Sequence, residues 1–250
     1  MTPARPHVEV KALTMAYGDH VVQREVSFAV PRGEVFVIMG DSGCGKSTLM
    51  RHMIGLSRPA AGEVFYDDQP LWAAGEEDRE RLKRKFGVLY QNAALFSSMT
   101  LEENVSLALV EHAGLSGKEA RDVAALKLAL VGLAGFEDHY PSEISGGMRK
   151  RAGLARAMAL DPEILFFDEP SAGLDPLSSR RLDVLILELR DGAGTSFVLV
   201  THELPSIFEL GDHAVFLDAE RRTMIAQGRP DELKDSQDPK VRAFMSRGRL

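Results

Sequence analysis

The apolar residues of the chain recur in short uncharged runs, each of which is followed by glycine or by polar residues. Runs of this kind are typical of strands that are buried on both faces of a parallel sheet. The three clearest runs cover residues 35–39, 164–167 and 196–201, and shorter ones cover 86–90, 214–217 and 223–226. A core built on a mostly parallel sheet is therefore predicted.

Near the start of the chain the pattern differs, because apolar and polar residues alternate over residues 8–13 and 21–30. Such alternation is typical of strands with one buried face and one solvated face. A further strand with a turn is predicted at 62–68. Together these segments predict an antiparallel β subdomain.

The strand pattern gives way to helical composition between residues 92 and 160. Helices are predicted at 101–112, 118–133 and 147–160, and a densely charged helix precedes them at 76–85. The predicted fold is α/β, with a mostly parallel core, an antiparallel β subdomain and an inserted α-helical subdomain at about 92–160. Residues 1–234 are expected to form one domain and 235–250 a C-terminal extension.

A glycine-rich segment follows the first buried run. It consists of Gly40, Asp41, Ser42, Gly43, Cys44, Gly45, Lys46, Ser47 and Thr48. The spacing G-x-x-x-x-G-K-S between a strand and a helix is the context of a phosphate-binding loop, in which glycines let backbone N–H groups close around phosphate oxygens. We expect Lys46 to reach the β- and γ-phosphates of a nucleoside triphosphate, Ser47 to ligate Mg²⁺ and Thr48 to help start the helix. The alternative is a glycine-rich turn that binds nothing.

Polar residues also stand at the ends of two other buried runs. Asp168 and Glu169 follow residues 164–167, and His202 follows 196–201. Ligands of α/β sheets bind at the carboxyl ends of strands, and an acidic pair at that position can hold Mg²⁺ and orient water. Taken singly, each acid could instead begin a loop.

A second candidate anion site lies at the start of the last predicted helix of the inserted segment. Ser145 is a suitable N-cap, and Gly146 and Gly147 follow it. A helix N-terminus directs N–H groups and positive potential at an anion.

Charge and cysteine content narrow the classes of function. The net charge is −7 and no basic tract is present, which argues against binding along a nucleic acid. The single cysteine, Cys44, excludes an intramolecular disulfide and suits a reducing compartment.

The longest apolar run, 123–136, is interrupted by Lys127 and is shorter than the ~20 residues that cross a bilayer. Since residues 1–10 have no apolar region of a secretory signal, a cytoplasmic protein is expected.

The chain resembles the ATP-binding cassette (ABC) transporter ATPases over nearly its whole length. The resemblance rests on the order of the phosphate loop, Gln91, Ser145-Gly146-Gly147, Asp168-Glu169-Pro170, the segment Ser-Ala-Gly-Leu-Asp-Pro at 171–176, and His202. It implies a P-loop NTPase core of the ABC type, ATP and Mg²⁺ as cofactors, and ATP hydrolysis coupled to transport.

The same resemblance implies a role for each matched residue. Tyr17, which by spacing alone is either a packing residue or an adenine-stacking residue, corresponds to the aromatic that stacks on adenine. Gln91 corresponds to the residue that touches Mg²⁺ and senses the γ-phosphate, Asp168 to the acid on the metal side, Glu169 to the general base, and His202 to the residue that binds the γ-phosphate and holds the attacking water. Ser145, Gly146, Gly147 and Asp175 would serve ATP held by a second copy, so a homodimer is implied.

One departure from the family pattern narrows the resemblance further. The usual signature is Leu-Ser-Gly-Gly-Gln, whereas residues 144–148 read Ile-Ser-Gly-Gly-Met. This variant, the basic cluster at 149–151, Ala-Leu-Phe at 94–96 and Asp-Pro-Lys-Val-Arg at 238–242 are similar to the Mla-type ATPases, which energise phospholipid traffic in the bacterial envelope. The similarity implies an integral-membrane permease, an MCE lipid-binding protein, a small STAS-domain protein and a position on the inner face of the inner membrane.

One other reading stays open at this point, and two more are disfavoured. An ABC importer for polar solutes such as amino acids shares the core, although its signature normally keeps glutamine at the position of Met148. A soluble ABC protein of DNA repair or translation would need a second cassette, a long coiled coil or a basic face. In a P-loop kinase, the glycine pair and Asp175 would have no function, which argues against this reading.

Three further features carry predictions of their own. A thiol reagent on Cys44 would occupy space needed by phosphate, unless that residue is buried and inert. Phe96 and Met99 are candidates for a groove that receives a helix of the permease, with core packing as the alternative. A helix from about Pro239 would gather Val241, Phe244 and Met245 on one face, so the tail is either frayed or docked on a partner copy through Phe244.

Overall fold

The strands and helices follow one another largely as the apolar pattern predicts. The computed structural model describes residues 5–246. In chain order the elements are β1 (Val8–Tyr17), β2 (His20–Val30), β3 (Val35–Gly40), α1 (Lys46–Met53), β4 (Ala61–Tyr66), β5 (Gln69–Pro70), α2 (Glu76–Lys83), β6 (Phe86–Leu89), α3 (Leu101–Ala113), α4 (Gly117–Leu130), a 3₁₀ turn (Pro141–Glu143), α5 (Gly146–Ala157), β7 (Ile164–Asp168), α6 (Pro176–Ala193), β8 (Ser196–Val200), α7 (Leu204–Leu210), β9 (His213–Asp218), β10 (Thr223–Gly228), α8 (Pro230–Leu233) and α9 (Pro239–Ser246).

Two compact units divide the chain. One contains the described residues up to Lys83 together with those from Leu189 onward, and the other runs from Arg84 to Glu188. The second unit contains the predicted helical segment and also β6 and β7.

The first unit contains the predicted antiparallel layer, with strand order β2-β1-β4-β5. Val8 pairs with Val30 at one end of the β1–β2 hairpin, and Tyr17 pairs with His20 at the other. The register shifts between these ends, where Glu25 takes a φ of +52°. This irregularity rotates part of β2 out of its simple alternation.

The same unit contains the parallel strands that carry the glycine-rich loop. β3 pairs in parallel with β8 on one side and with β9 on the other, and β10 closes the edge antiparallel to β9. Every residue of β3 is buried, as expected for an uncharged central strand.

In the second unit, β6 and β7 form a parallel pair beside the helices α3, α4 and α5. Thr100 and Ser116 cap α3 and α4 with reciprocal hydrogen bonds to Glu103 and Glu119. α4 ends at Leu130, short of the predicted residue 133, because the chain turns at Gly132 with a φ of +70°.

The C-terminal helix α9 forms as predicted, but its contacts contradict both expectations for the tail. Phe244 is 3% exposed, and its ring meets that of Phe216 in β9 at a centroid distance of 5.1 Å and an interplanar angle of 82°. Val241 and Met245 are also buried. The helix is therefore not frayed, and the assignment of Phe244 as an anchor on a partner copy is wrong because its own unit covers the ring. Residues 247–250 lie outside the described residues.

Candidate functional site

The glycine-rich loop joins β3 to α1, and its backbone geometry explains two of its glycines. Gly40 has a φ of +149° and Gly45 a φ of +97°, both in the region that favours glycine. A Cβ atom on Gly40 would lie 2.4 Å from the carbonyl oxygen of Leu217, and one on Gly45 would lie 2.7 Å from Cγ1 of Val22. A larger residue at either position would displace the loop.

Lys46 is the first residue of α1, and its side chain folds back over the loop. Nζ donates to the carbonyl oxygens of Gly40 at 3.0 Å and of Asp41 at 3.1 Å. Among the described residues, no side chain caps the first turn of α1. The N–H groups of such a turn can bind a phosphate instead, so the amine and the helix end together form an anion-binding arrangement.

Cys44 lies within the loop and is only 1% exposed. Burial raises the pKa of its thiol above the ordinary value, although the nearby charge of Lys46 acts in the opposite direction. A covered, protonated thiol reacts slowly with alkylating reagents. The burial of Cys44 therefore favours the inert alternative over inactivation by a thiol reagent, and the outcome of such labelling stays a prediction.

A buried glutamine supports the loop from the adjoining strand β2. Nε2 of Gln23 donates to the carbonyl oxygen of Cys44 at 2.7 Å and to that of Asp218 at 2.9 Å. The side chain thereby fixes the loop relative to the end of β9.

His202 and Tyr17 belong to the same unit as the loop. Ile38 in β3 pairs with Val200, the last residue of β8, so His202 follows β8 at the same carboxyl edge of the sheet at which β3 ends. Tyr17 ends β1 and is 56% exposed, so core packing does not account for this ring. Adenine stacking at Tyr17 stays a prediction.

The second unit brings the remaining catalytic candidates to one sheet edge. Leu89 in β6 pairs with Phe167 in β7, so Gln91 and Glu169 both follow the carboxyl ends of these two paired strands. Asp168 is the last residue of β7. The amide of Gln91 and the carboxylate of Asp168 offer oxygen ligands of the kind that Mg²⁺ prefers, and the carboxylate of Glu169 remains available as a base.

The backbone of Glu169 is held in an unusual conformation by a buried lysine. Glu169 has a φ of +49°, which is uncommon for a residue with a side chain. Its carbonyl oxygen accepts a hydrogen bond from the backbone N–H of Ala172 at 3.1 Å and another from Nζ of Lys150 at 3.3 Å. Lys150 belongs to α5, the helix that begins with the glycine pair. This helix therefore helps to orient the side chain of Glu169.

The glycine pair opens α5 as predicted. Oγ of Ser145 caps the helix by accepting from the backbone N–H of Met148 at 3.2 Å. A Cβ atom on Gly147 would lie 3.1 Å from Oγ of Ser178, so the start of α5 lies against the start of α6. Glycine permits this close approach.

Asp175 caps α6 and accepts from the backbone N–H groups of Leu177 at 3.1 Å and Ser178 at 3.0 Å. The hydroxyl and the backbone N–H of Ser178 lower the pKa of this carboxyl below its ordinary value. The carboxylate is exposed and ionised at neutral pH, which suits an interface role.

A cavity of about 190 Å³ lies between the starts of α5 and α6, and Lys150, Arg151 and Arg181 contribute to its wall. Burial and the neighbouring charge of Arg181 lower the pKa of Arg151. Nη1 of Arg151 donates to the carbonyl oxygens of Val131 at 2.9 Å and Gly132 at 3.1 Å. The positive potential of the helix start is therefore reinforced by side chains.

The predicted site residues thus form two groups. The loop 40–48, Tyr17 and His202 belong to the first unit. Gln91, Asp168, Glu169, the glycine pair with Ser145, and Asp175 belong to the second.

Gln23, Lys150, Asp218 and Lys240 contribute to these sites without having been assigned a role from the sequence. The signal for Gln23 is a polar residue in an apolar strand, and the irregularity at Glu25 conceals it. Lys150 and Lys240 stand in clusters of basic residues, where sequence alone does not tell a buried lysine from a solvated one.

None of the helices in the part of the chain that the structure describes is long and apolar enough to cross a lipid bilayer.

The sequence of this chain matches one protein family and several known proteins. The profile of the family described as ABC transporter matches residues 23–172. The probable ribonucleotide transport ATP-binding protein Mkl of Mycobacterium tuberculosis is 39% identical over 248 residues, which cover 99% of this chain and 68% of that protein. The intermembrane phospholipid transport system ATP-binding protein MlaF of Escherichia coli is 37% identical over 238 residues, which cover 95% of this chain and 88% of that protein.

Comparison with solved structures agrees. The ATP-binding cassette MJ0796, in a dimeric post-hydrolysis state bound to ADP and Pi, matches with a TM-score of 0.80 and 29% sequence identity, over 89% of this chain and 98% of that chain. The predicted fold class is thereby confirmed. The chain belongs to the ABC transporter family, as an ATP-binding and ATP-hydrolysing subunit.

Proposed function

We propose that this chain is the ATPase of a transporter that moves phospholipid across the bacterial cell envelope. The observation that carries this proposal is the similarity to MlaF, which extends over 95% of this chain and includes the region of the variant signature at Met148. MlaF is named for intermembrane phospholipid transport, whereas Mkl is named for probable ribonucleotide transport. The cargo itself would pass through a permease, so no residue of this chain would read it.

In the proposed mechanism, two copies of the chain enclose ATP between them. The loop 40–48 of one copy binds the phosphates, with Lys46 at the β- and γ-phosphates and Tyr17 at the adenine. Ser145, Gly146 and Gly147 of the other copy offer the N-terminus of α5 to the γ-phosphate. Asp175 lies at the interface between the copies. The start of α5, where Ser145 is exposed and both glycines are partly exposed, and the basic cavity beside it support this arrangement.

Hydrolysis in this mechanism depends on groups at the strand ends. Glu169 takes a proton from the attacking water as general base. His202 donates an N–H to the γ-phosphate and holds the water in line. Mg²⁺ would be held by Ser47, Gln91 and Asp168, whose hydroxyl, amide and carboxylate oxygens fit this ion, and it would neutralise charge on the phosphates.

Coupling to a membrane permease is the next step of the proposal. Phe96 is 50% exposed in the loop after Gln91, and Asn104 fixes that loop by accepting from the N–H of Phe96 and donating to the carbonyl oxygens of Phe96 and Met99. A rigid loop that presents an aromatic ring to solvent suits a helix-in-groove contact. Core packing does not account for this ring.

The further partners are proposed from the Mla-type resemblance. They are an MCE lipid-binding protein and a small STAS-domain protein, and the complex would hold this chain on the inner face of the bacterial inner membrane.

The proposal is tested by isolating the full-length tagged chain from membranes of its own host. We expect an integral-membrane permease to copurify, and we expect the reconstituted complex to transfer a fluorescent phospholipid between vesicles in an ATP-dependent manner. Lys46→Ala is the matched control, since it should assemble without transfer.

Two other results would overturn the proposal. Uptake of labelled ribonucleotides or amino acids by the reconstituted complex, without lipid transfer, would assign a polar-solute importer. Recovery of the chain without any membrane protein would favour a non-transport ABC protein.

A further inference from the structure

The C-terminal helix α9 is connected to the phosphate loop by a lysine. Nζ of Lys240 lies 2.9 Å from Oδ2 of Asp218, 3.6 Å from Oδ2 of Asp41 and 3.7 Å from Oε2 of Glu220. Asp41 is the second residue of the loop, and Asp218 ends β9. One amine therefore connects the tail, the core sheet and the loop.

Asp218 is the fixed end of this connection. Its side chain is 1% exposed, and its carboxylate accepts from the backbone N–H groups of Glu220 at 2.7 Å and Arg221 at 2.8 Å. Burial alone would raise the pKa of Asp218, but the hydrogen bonds from Lys240 and from these two amides outweigh it and lower the pKa below the ordinary value. Asp218 is therefore a carboxylate at neutral pH and holds Lys240 in place.

The start of α9 is fixed as well. Oδ1 of Asp238 accepts from the backbone N–H of Lys240 at 2.8 Å, and Oδ2 pairs with Nη1 of Arg221 at 2.6 Å. Phe244 is anchored on Phe216 one turn further along. Lys240 thus extends from a docked helix rather than from a loose end.

Asp41 is the end of the connection that bears on the nucleotide. Its carbonyl oxygen accepts from Nζ of Lys46, the amine expected at the phosphates. A carboxylate on the same residue places a negative charge beside a triphosphate that is itself strongly negative. Lys240 offsets this charge, and the half-buried position of both groups limits solvent screening.

We propose that Lys240 is a positioning residue for nucleotide binding, which neutralises Asp41 and ties the phosphate loop to the C-terminal helix. The inference rests on the nucleotide site proposed above. The tail of one copy would then contribute to the affinity of that same copy for ATP, separately from any contact with a partner.

The test uses the purified full-length chain and the fluorescent analogue mant-ATP, with EDTA present to prevent turnover. We expect Lys240→Met to raise the Kd about fivefold, which corresponds to about 1 kcal/mol at 25 °C. Lys240→Arg keeps the charge and should bind within about twofold of wild type. Lys234→Met is the matched control, because Lys234 pairs with Asp231 at the surface and should leave the Kd unchanged.

A second substitution separates this role from a loss of stability. Lys240→Met also leaves the buried Asp218 without its lysine, so its thermal stability should fall. Adding Asp41→Asn removes the charge that Lys240 offsets, so the double variant should regain affinity while its stability stays low. A merely structural role predicts that the double variant binds as weakly as Lys240→Met, and that result would overturn the proposal.

The two proposals fail in different ways. If the wild-type chain does not bind mant-ATP, the proposed nucleotide site is wrong. If the wild-type chain binds it and Lys240→Met binds equally well, the nucleotide site stands and the role of Lys240 is wrong.

Discussion

Phe244→Ala tests whether the C-terminal helix α9 packs on the domain of its own chain or joins two copies of the chain. The wild-type ring is 3% exposed and packs edge-on against Phe216. Burial of a phenyl ring contributes about 2–3 kcal/mol, and an edge-to-face contact adds about 1 kcal/mol. The substitution should therefore lower the free energy of unfolding by about 3 kcal/mol, at the low end of the ~3–5 kcal/mol usual for this truncation.

The assay is urea unfolding of the wild type and the variant at low and at high chain concentration. An intramolecular contact predicts the same loss of free energy at both concentrations, whereas a contact between copies predicts a loss that depends on concentration. Hydrogen exchange of the α9 amides should become faster in the variant, because the helix has lost its anchor. Phe96→Ala is the control, since that ring is 50% exposed and its removal should change the free energy by less than about 0.5 kcal/mol.

A loss below about 1 kcal/mol for Phe244→Ala, or a loss that appears only at high concentration, would refute the packing described for α9. Deletion from Pro239 onward should lower the free energy of unfolding for the same reason, and it should have a further effect. Because it also removes Lys240, it should weaken nucleotide binding, whereas a tail that serves only assembly would leave the phosphate loop unaffected.

Three further predictions follow from the site. Maleimide should not modify Cys44 in the folded chain and should modify it in denaturant, because burial covers the thiol and raises its pKa; rapid labelling without denaturant would contradict this. Lys150→Met should lower kcat about tenfold with little change in the Kd for ATP, and Lys150→Arg should restore part of the rate, because the lysine orients the backbone of Glu169; an equal loss in both variants would point to packing alone. Phe96→Glu should uncouple transport from hydrolysis while the isolated chain still binds ATP, and loss of folding would instead indicate that the ring packs in the core.

Much of the fold could be predicted from the sequence because its strands carry local signals. The buried parallel strands are uncharged runs, and the glycine-rich loop has a fixed spacing next to one of them. Helix α6 is missing from the predicted elements, although Leu182, Leu185 and Ile186 recur at helical spacing and are buried.

The supports of the site could not be predicted because they join residues that are far apart in the chain. Gln23 reaches Cys44 and Asp218 from a strand whose alternation is interrupted, and Lys240 reaches Asp41 from the last helix. The sequence does not show whether a polar residue at such a position is buried or which residue it contacts. Phe244 illustrates the same limit, because the sequence indicates that α9 has an apolar face but does not indicate which surface covers it.

Glu169→Gln tests the central claim, that this chain hydrolyses ATP with Glu169 as general base between two copies. Glutamine keeps the size and hydrogen-bonding capacity of the side chain but cannot take a proton from water. In the assembled transporter, the variant should bind ATP, accumulate ATP-bound dimers and hydrolyse ATP at least about a hundredfold more slowly than wild type. Lys46→Ala is the control and should not accumulate dimers with ATP. Hydrolysis by Glu169→Gln at the wild-type rate would contradict the assignment.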